Sequence, residues 1–395
     1  MRRYAGLVLF VALCMVTGVR GVARADPVPV VIGLDAEFGH QTSTSAPAIR
    51  QGILVAIDEI NSRGGVLGGR PLMLVERDNR SVPARGVQNI RDLSANPDVV
   101  AIFCGKFSPV VLEEIPVVHQ IGIPLLDPWA AADDIIDNGH TPNFVFRLSL
   151  RDGWAVPAML EHAGHRGLGR IGVLVPNTAW GRGSLKAAQD YVGANQGMTI
   201  TATKWYNWGD TSLLDKYLEL VRSGANVVLL VANEREGSIL VKEMASVSAT
   251  GRLPVIAHWG ISGGDFRAMT GDALDAVDLV VVQTYSFAGP LDERARSVLA
   301  AARRLFGLNG PADLKSQVGF AHAYDLTHIL ARAIDRAGDT DRAAIRDALE
   351  RLDRVDGLIR SYDPPFTPSR HEALSPAQIF IGRFTPDGIV PVNGN

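Results

Sequence analysis

Cysteine is almost missing from this sequence: 395 residues contain two, Cys14 and Cys104. Cys14 falls in a stretch expected to be removed, which leaves Cys104 alone and excludes an intramolecular disulfide. Stability must therefore come from buried apolar surface, and a chain of this length can build two sizeable cores. Positive charge is not in excess either, with 39 Lys and Arg against 42 Asp and Glu. That balance argues against nucleic acid or an anionic membrane surface as the main partner. Beyond the N-terminus no apolar run approaches the roughly 20 residues that span a bilayer, so no membrane insertion of the mature chain is expected. No glycine fingerprint follows a strand, and there is no nucleophile elbow or His/Cys cluster at metal-binding spacing. The "HEA" at His371 lacks a second histidine at the required distance, and His162 and His165 in "EHAGHRG" read as a polar helix end. No enzyme, cofactor or metal is expected.

The first 25 residues have the features of an export signal. Arg2 and Arg3 form a basic start, residues 5–17 are apolar, and "ARA" at 23–25 places small residues before Asp26. Leu13 stands where a lipoprotein signal would want a small residue before Cys14, so ordinary cleavage and a periplasmic product are expected. Removing Arg2, Arg3, Arg20 and Arg24 moves the formal charge from −3 to −7.

What the sequence has in abundance is alternation. Short apolar runs occur at 28–34, 71–77, 99–104 and 123–127, and again at 170–175, 199–206, 226–231, 253–258 and 278–284. Most are continuous rather than alternating, the pattern of strands buried on both faces. Helical periodicity fills the gaps at 48–62, 110–120, 183–195, 213–223 and 236–248, then at 292–306, 317–337 and 341–352. The βαβα order implies parallel sheets with helices on both sides. Two series in one chain imply an α/β fold of two doubly wound lobes joined by a multi-strand hinge. The expected division is 26–145 plus 286–355 for lobe 1 and 146–285 plus 356–395 for lobe 2, with crossings near 142–149 and 283–290.

The stretch "INSRGGVLGGRPLMLVERDN" at 60–79 has four glycines but puts them after a helix and before a strand. A phosphate-binding loop needs the opposite order. Gly64 and Gly65 suit a helix end, and Gly68 and Gly69 a tight turn into the strand. With "VVIGLDAEFG", "AIFCGKFSPVVLEEIPVVHQIGIPLLDP", "IGVLVPNTAWGRG" and "GFAHAYDLTHILARAI", in that order, this connector resembles the branched-chain amino acid binding family. These are type I periplasmic solute receptors of ABC importers. The resemblance covers essentially the whole mature chain. It implies a monomeric receptor that closes on a small-molecule ligand by hinge motion and docks on ABC permease membrane subunits.

Ligands of open parallel sheets sit beyond the carboxyl ends of the strands, so the strand-end loops supply the candidate site. After the first strand these are Phe38 and His40. After the third they are Lys106, Phe107 and Ser108, with Ser108 and Pro109 opening a helix whose amides suit a carboxylate. After the fourth they are Trp129, Ala130 and Ala131, where the family supplies a hydroxyl that this sequence lacks. The second lobe offers Trp180 before a glycine, Asn233 and Glu234, and His258 and Trp259; Tyr285 lies at a crossing. Where the family commonly places a carboxylate for the ligand ammonium, this sequence has Trp259. Asp152 and Glu234 are the acids able to replace it. An aromatic, cation-leaning cleft points to a small carboxylate, aromatic or dicarboxylic. A branched-chain amino acid or amide is the alternative within the same family, and a free receptor feeding a separate sensor is the other.

Overall fold

The computed structural model describes residues 27–392, so the export signal lies outside the described residues. The chain begins with β1 (Val30–Ala36), α1 (Ser45–Ser62), β2 (Leu72–Asp78), α2 (Pro83–Ser94), β3 (Val99–Cys104), α3 (Ser108–Ile121), β4 (Leu125–Asp127) and β5 (Val145–Arg147). Their strands form one parallel sheet in the order β2-β1-β3-β4-β5. All seven residues of β1 and all six of β3 are buried, as central strands covered by helices on both faces must be.

The second series comprises α4 (Asp152–His165), β6 (Arg170–Pro176), α5 (Ala179–Ala194), β7 (Thr199–Tyr206), α6 (Leu214–Arg222), β8 (Val227–Leu230), α7 (Glu234–Ser246), β9 (Val255–Ala257), α8 (Phe266–Thr270) and β10 (Leu279–Gln283). Three helices then return to the first lobe: α9 (Glu293–Phe306), α10 (Gln317–Ala337) and α11 (Arg342–Leu349). After a small hairpin of β11 (Val355–Asp356) and β12 (Ser361–Tyr362), β13 (Phe380–Thr385) and β14 (Gly388–Pro391) end the described chain. The second sheet has the order β14-β13-β10-β9-β8-β6-β7 and is parallel except where β13 and β14 join it antiparallel. Two doubly wound lobes joined by several crossings are therefore what the molecule contains.

The glycine-rich stretch is a connector. Gly64, Gly65, Gly68 and Gly69 all have positive φ, and a side chain at Gly65 would meet the Arg70 carbonyl at 2.2 Å. Nine strands and eight helices stand where the periodicity expects them, within a few residues. Eight other elements did not announce themselves; α8, β11 and β12 are only two to five residues long. In α2 only Gly86, Ile90 and Leu93 are buried, so its apolar stripe is thin. Helix α4 carries Pro157 inside it and glycines near both ends. Strand β5 is three residues long, and β13 and β14 lie in the Pro-rich end.

The crossings fall later than residues 145 and 355. Strand β5 keeps the first sheet going to Arg147, because Arg147 is tied to Glu372 and to the carbonyls of Ala130 and Ala132. Residues 356–373 also stay with the first lobe. Asp325 on α10 accepts from the amides of Leu358 and Ile359 and the hydroxyl of Tyr362, while Phe366 packs edge-on to Phe146 at 5.1 Å.

Candidate functional site

The carboxyl ends of β1, β3 and β4 face those of β6, β7, β8 and β9 across a cleft. Its wall consists of Lys106, Phe107, Ser108, Pro109, Trp129, Ala131, Trp180, Trp208, Asn233, Trp259 and Gly260. Eight of these were expected from strand ends alone; Pro109 had been read as a helix opener, and Trp208 and Gly260 were not singled out. The cleft is shut on its own side chains: the remaining cavity is about 10 Å³, room for one water at most.

Each large ring is seated by a local device. Thr178 caps α5 by accepting from the Gly181 amide, and a side chain at Gly181 would lie 1.9 Å from the Pro176 carbonyl. Glycine there lets the helix start tight against β6 and aims Trp180 into the cleft. Gly260 leaves space for the Trp180 ring, which a Cβ would approach to 2.7 Å. Trp129 rests on Gly319 of α10, where a Cβ would stand 2.5 Å from its ring. Trp129 and Trp259, from opposite lobes, have centroids 5.6 Å apart. Behind Trp259 lies His322 of α10, also at 5.6 Å. Burial pushes His322 down to about 4, although the Pro128 carbonyl bonded to its Nδ1 favours the proton. It is neutral at ordinary pH.

Of the two candidate ammonium partners, Glu234 is engaged at both oxygens and Asp152 at one, its Oδ2 being buried without a hydrogen-bond partner. Asp152 accepts from Trp180 Nε1 at 3.2 Å, and His258 Nε2 lies 3.0 Å from the same oxygen, though poorly directed for a hydrogen bond. Burial raises the Asp152 carboxyl, and His258 opposes that rise. His258 is fully buried behind Trp180 and does not face the cavity. Glu234 opens α7 and pairs across the cleft with Lys106 of the other lobe, Nζ to Oε2 at 2.7 Å. Thr42 donates to its second oxygen at 3.0 Å. Burial alone would raise Glu234, but Lys106 and Thr42 hold it below the usual carboxylate range.

Donors are left over on the cavity side. Trp208 Nε1 is buried and has no hydrogen-bond partner. The Ser108 oxygen accepts from the Ala132 amide at 3.3 Å, which leaves its own hydrogen to give. Asp127 shapes the fourth-strand loop by accepting from the amides of Trp129 and Ala130 at 2.9 and 2.7 Å. Burial lifts its carboxyl to about 7 against the pull of Arg147 and those two amides.

The remaining candidates stand apart from the cavity wall. Phe38 packs against the core, and His40 lies beside Phe107 with its Nδ1 4.0 Å from Glu234. The Ala130 carbonyl is turned to Arg147. Tyr285 lines a different pocket, near the start of α10 and the β13–β14 turn. Trp208 follows β7, so the strand-end rule would have found it had that edge-strand loop been read like the others. Thr42 lies within the first-strand loop but carries no mark of its role.

Comparison with known proteins agrees with this geometry. A profile of the periplasmic binding protein family matches residues 29–382. The Leu/Ile/Val-binding protein BraC3 of Rhizobium johnstonii is 24% identical over 335 residues, 83% of this chain and 84% of its own. A type 1 periplasmic binding protein of Bordetella pertussis superposes with a TM-score of 0.82 at 22% identity, covering 92% of this chain and all of its own. LivJ of Streptococcus pneumoniae, in complex with isoleucine, gives 0.76 at 17% identity over 91% and 97% of the two chains. A solute-binding protein of R. palustris, in complex with benzoate, gives 0.76 at 16% over 92% and 95%. Among the described residues no helix is long and apolar enough to cross a membrane, and no group of three or more metal-ligating side chains comes together. Two parallel-sheet lobes, a cleft at their strand ends and a family match along nearly the whole chain lead to one conclusion: the chain belongs to the periplasmic binding protein family and has the two-lobed type I fold.

Proposed function

We propose that this receptor captures a small monocarboxylate with an apolar, preferably aromatic, body and delivers it to the permease subunits of an ABC importer. The observation that carries this reading is the state of the two acids. Glu234 has both oxygens held, by Lys106 and Thr42, and Asp152 has one oxygen on Trp180 beside His258 and its other buried off the cavity wall, so neither presents a carboxylate to an ammonium in the cleft. An ammonium enclosed without a counter-charge is strongly disfavoured. A carboxylate meets unused donors instead: the Ser108 hydroxyl and the Trp208 indole. Four indoles and Phe107 supply flat apolar surface for a ring. That a structural neighbour is a benzoate complex supports the class; that another is an isoleucine complex keeps the amino-acid alternative in view.

No chemistry is required. A ligand that binds the closed form better than the open form shifts that balance by its differential affinity. Since about 10 Å³ remains in the shut cleft, a ring enters by moving an indole or by holding the lobes slightly apart. Export through cleavage before Asp26, action as a monomer in the periplasm and hand-over to a permease complete the reading.

The test is a thermal-shift panel on the chain from Asp26 onward with benzoate, 4-hydroxybenzoate, terephthalate, succinate, leucine and isoleucine. At a hundred times its dissociation constant a ligand adds about 2.7 kcal/mol of stability. Stabilisation by the aromatic monocarboxylates supports the proposal. Stabilisation by leucine or isoleucine without response to aromatic acids overturns it and returns Asp152 or Glu234 to the ammonium role.

A further inference from the structure

We infer that Glu234 is a specificity-determining residue that acts through charge: clasped by Lys106, it reserves the cleft for a single carboxylate and turns away dianions and zwitterions. This rests on the reading of the cleft as a carboxylate site.

The pair has been built into the lobe interface. Lys106 follows β3 on one lobe and Glu234 begins α7 on the other, with side chains 1% and 0% exposed. Two glycines make its slot. A Cβ at Gly263 would lie 2.7 Å from Lys106 Nζ, and one at Gly264 2.6 Å from Glu234 Cγ and 2.5 Å from the Thr42 carbonyl. Gly264 has φ −149, extended backbone that any residue adopts, so space and not conformation is the reason for glycine there. His40 Nδ1 stands 4.0 Å from Glu234 at the partly open edge of the slot.

Two ions taken out of water are tolerated only while each keeps its partner. A dianion that places its second carboxylate on Lys106 strands Glu234 in the closed cleft. A zwitterion whose carboxylate is held by Ser108 and Trp208 and whose ammonium takes Glu234 strands Lys106. Each exchange ends with as many buried unpaired charges as it began by satisfying. A monocarboxylate served by Ser108 and Trp208 leaves the pair intact. In effect Glu234 already occupies the place of a ligand's second carboxylate.

Neutralising Glu234 therefore releases one positive charge on Lys106 to the cleft. The decisive experiment is calorimetric titration of the wild type and the Glu234→Gln variant with benzoate and with terephthalate, a matched mono- and dicarboxylate. The expected result is a rise of at least tenfold in the ratio of terephthalate to benzoate affinity in the variant. A ratio unchanged within threefold overturns the inference. Lys106→Met provides the opposite arm: benzoate weakens relative to leucine, and a leucine-to-benzoate ratio that does not rise also counts against it. Both variants are first checked for a native circular dichroism spectrum. Should either misfold, Glu234→Ala with the same two ligands takes its place, since the ratio depends only on removing the charge. Failure of the parent reading is separate, because it appears as wild-type binding of leucine and not benzoate.

Discussion

The molecule contains two buried ion pairs that look alike on paper and have opposite mechanical roles. Arg147 and Glu372 meet inside the first lobe, with Nε and Nη2 reaching the two carboxylate oxygens at 3.0 and 2.5 Å. The remaining guanidinium nitrogen donates to the carbonyls of Ala130 and Ala132, so every face of the fork is used. Lys106 and Glu234 meet between the lobes through one contact. Arginine's planar fork fixes a geometry, whereas lysine offers a point charge that releases and re-forms without alignment. The first pair rivets the returning chain to β5 and holds the fourth-strand loop; the second joins surfaces that must part whenever the cleft opens.

Breaking the rivet should have the largest effect. In Glu372→Gln the Arg147 charge is left buried, the circumstance that costs about 3–5 kcal/mol when one partner of a buried pair is removed. Urea unfolding should show a much lower midpoint. In Glu234→Gln the orphaned Lys106 has an escape, since opening returns it to water, where such a pair was worth no more than about 1 kcal/mol. The midpoint should move little while small-angle scattering shows a larger radius of gyration. Equal losses of stability in the two variants would erase the distinction drawn here.

Acid should sharpen the same contrast. The Glu234 carboxyl lies below its ordinary value of 4.5 in the closed form, because Lys106 and Thr42 outweigh the burial that would raise it. A carboxyl depressed in this way contributes fully above the ordinary value and loses its contribution as pH falls below it. The groups facing it are Lys106, Thr42 and His40. The radius of gyration should therefore grow below about pH 4.5 in the wild type and stay flat over that range in Glu234→Gln. Growth of the same size in both would assign the acid response to another group, Asp127 or Asp152 first.

The sequence made the elements legible wherever burial was continuous. Runs such as "VVAIFC" at Val99–Cys104 read as strands because both faces are covered, and Gln317–Ala337 read as a helix to the residue because its apolar stripe is wide. It failed where the signal is carried by few residues, as in α2 and β5, or contradicted by a local breaker, as with Pro157 in α4. The site was legible as a set of strand-end loops, since topology alone places them in the cleft. Its partnerships were not. Lys106 and Glu234 are separated by 128 residues, and nothing in either stretch says that the cation would be spent on the acid. Nor does a lone tryptophan in "YNWGD" advertise an unmet donor; that follows only once the cleft has closed around it.

The smallest effect is expected from that donor. Trp208 stacks edge-on with Phe107 at 5.2 Å across the lobes, and its Nε1 is enclosed without a partner. Replacing it by phenylalanine keeps an aromatic face and removes the N–H. If a ligand carboxylate accepts from it, the loss should be about 1 kcal/mol, near fivefold in Kd for benzoate. Stability should not fall with it, because deleting a donor that has no protein partner removes an unsatisfied group from the closed cleft. The two readings move in opposite directions only for a donor reserved for ligand. Weaker benzoate binding with an unchanged or higher melting temperature would place the Trp208 indole at the carboxylate. Unchanged affinity would mean the second lobe contributes aromatic surface alone, and that the carboxylate is held from the first lobe by Ser108 and the start of α3.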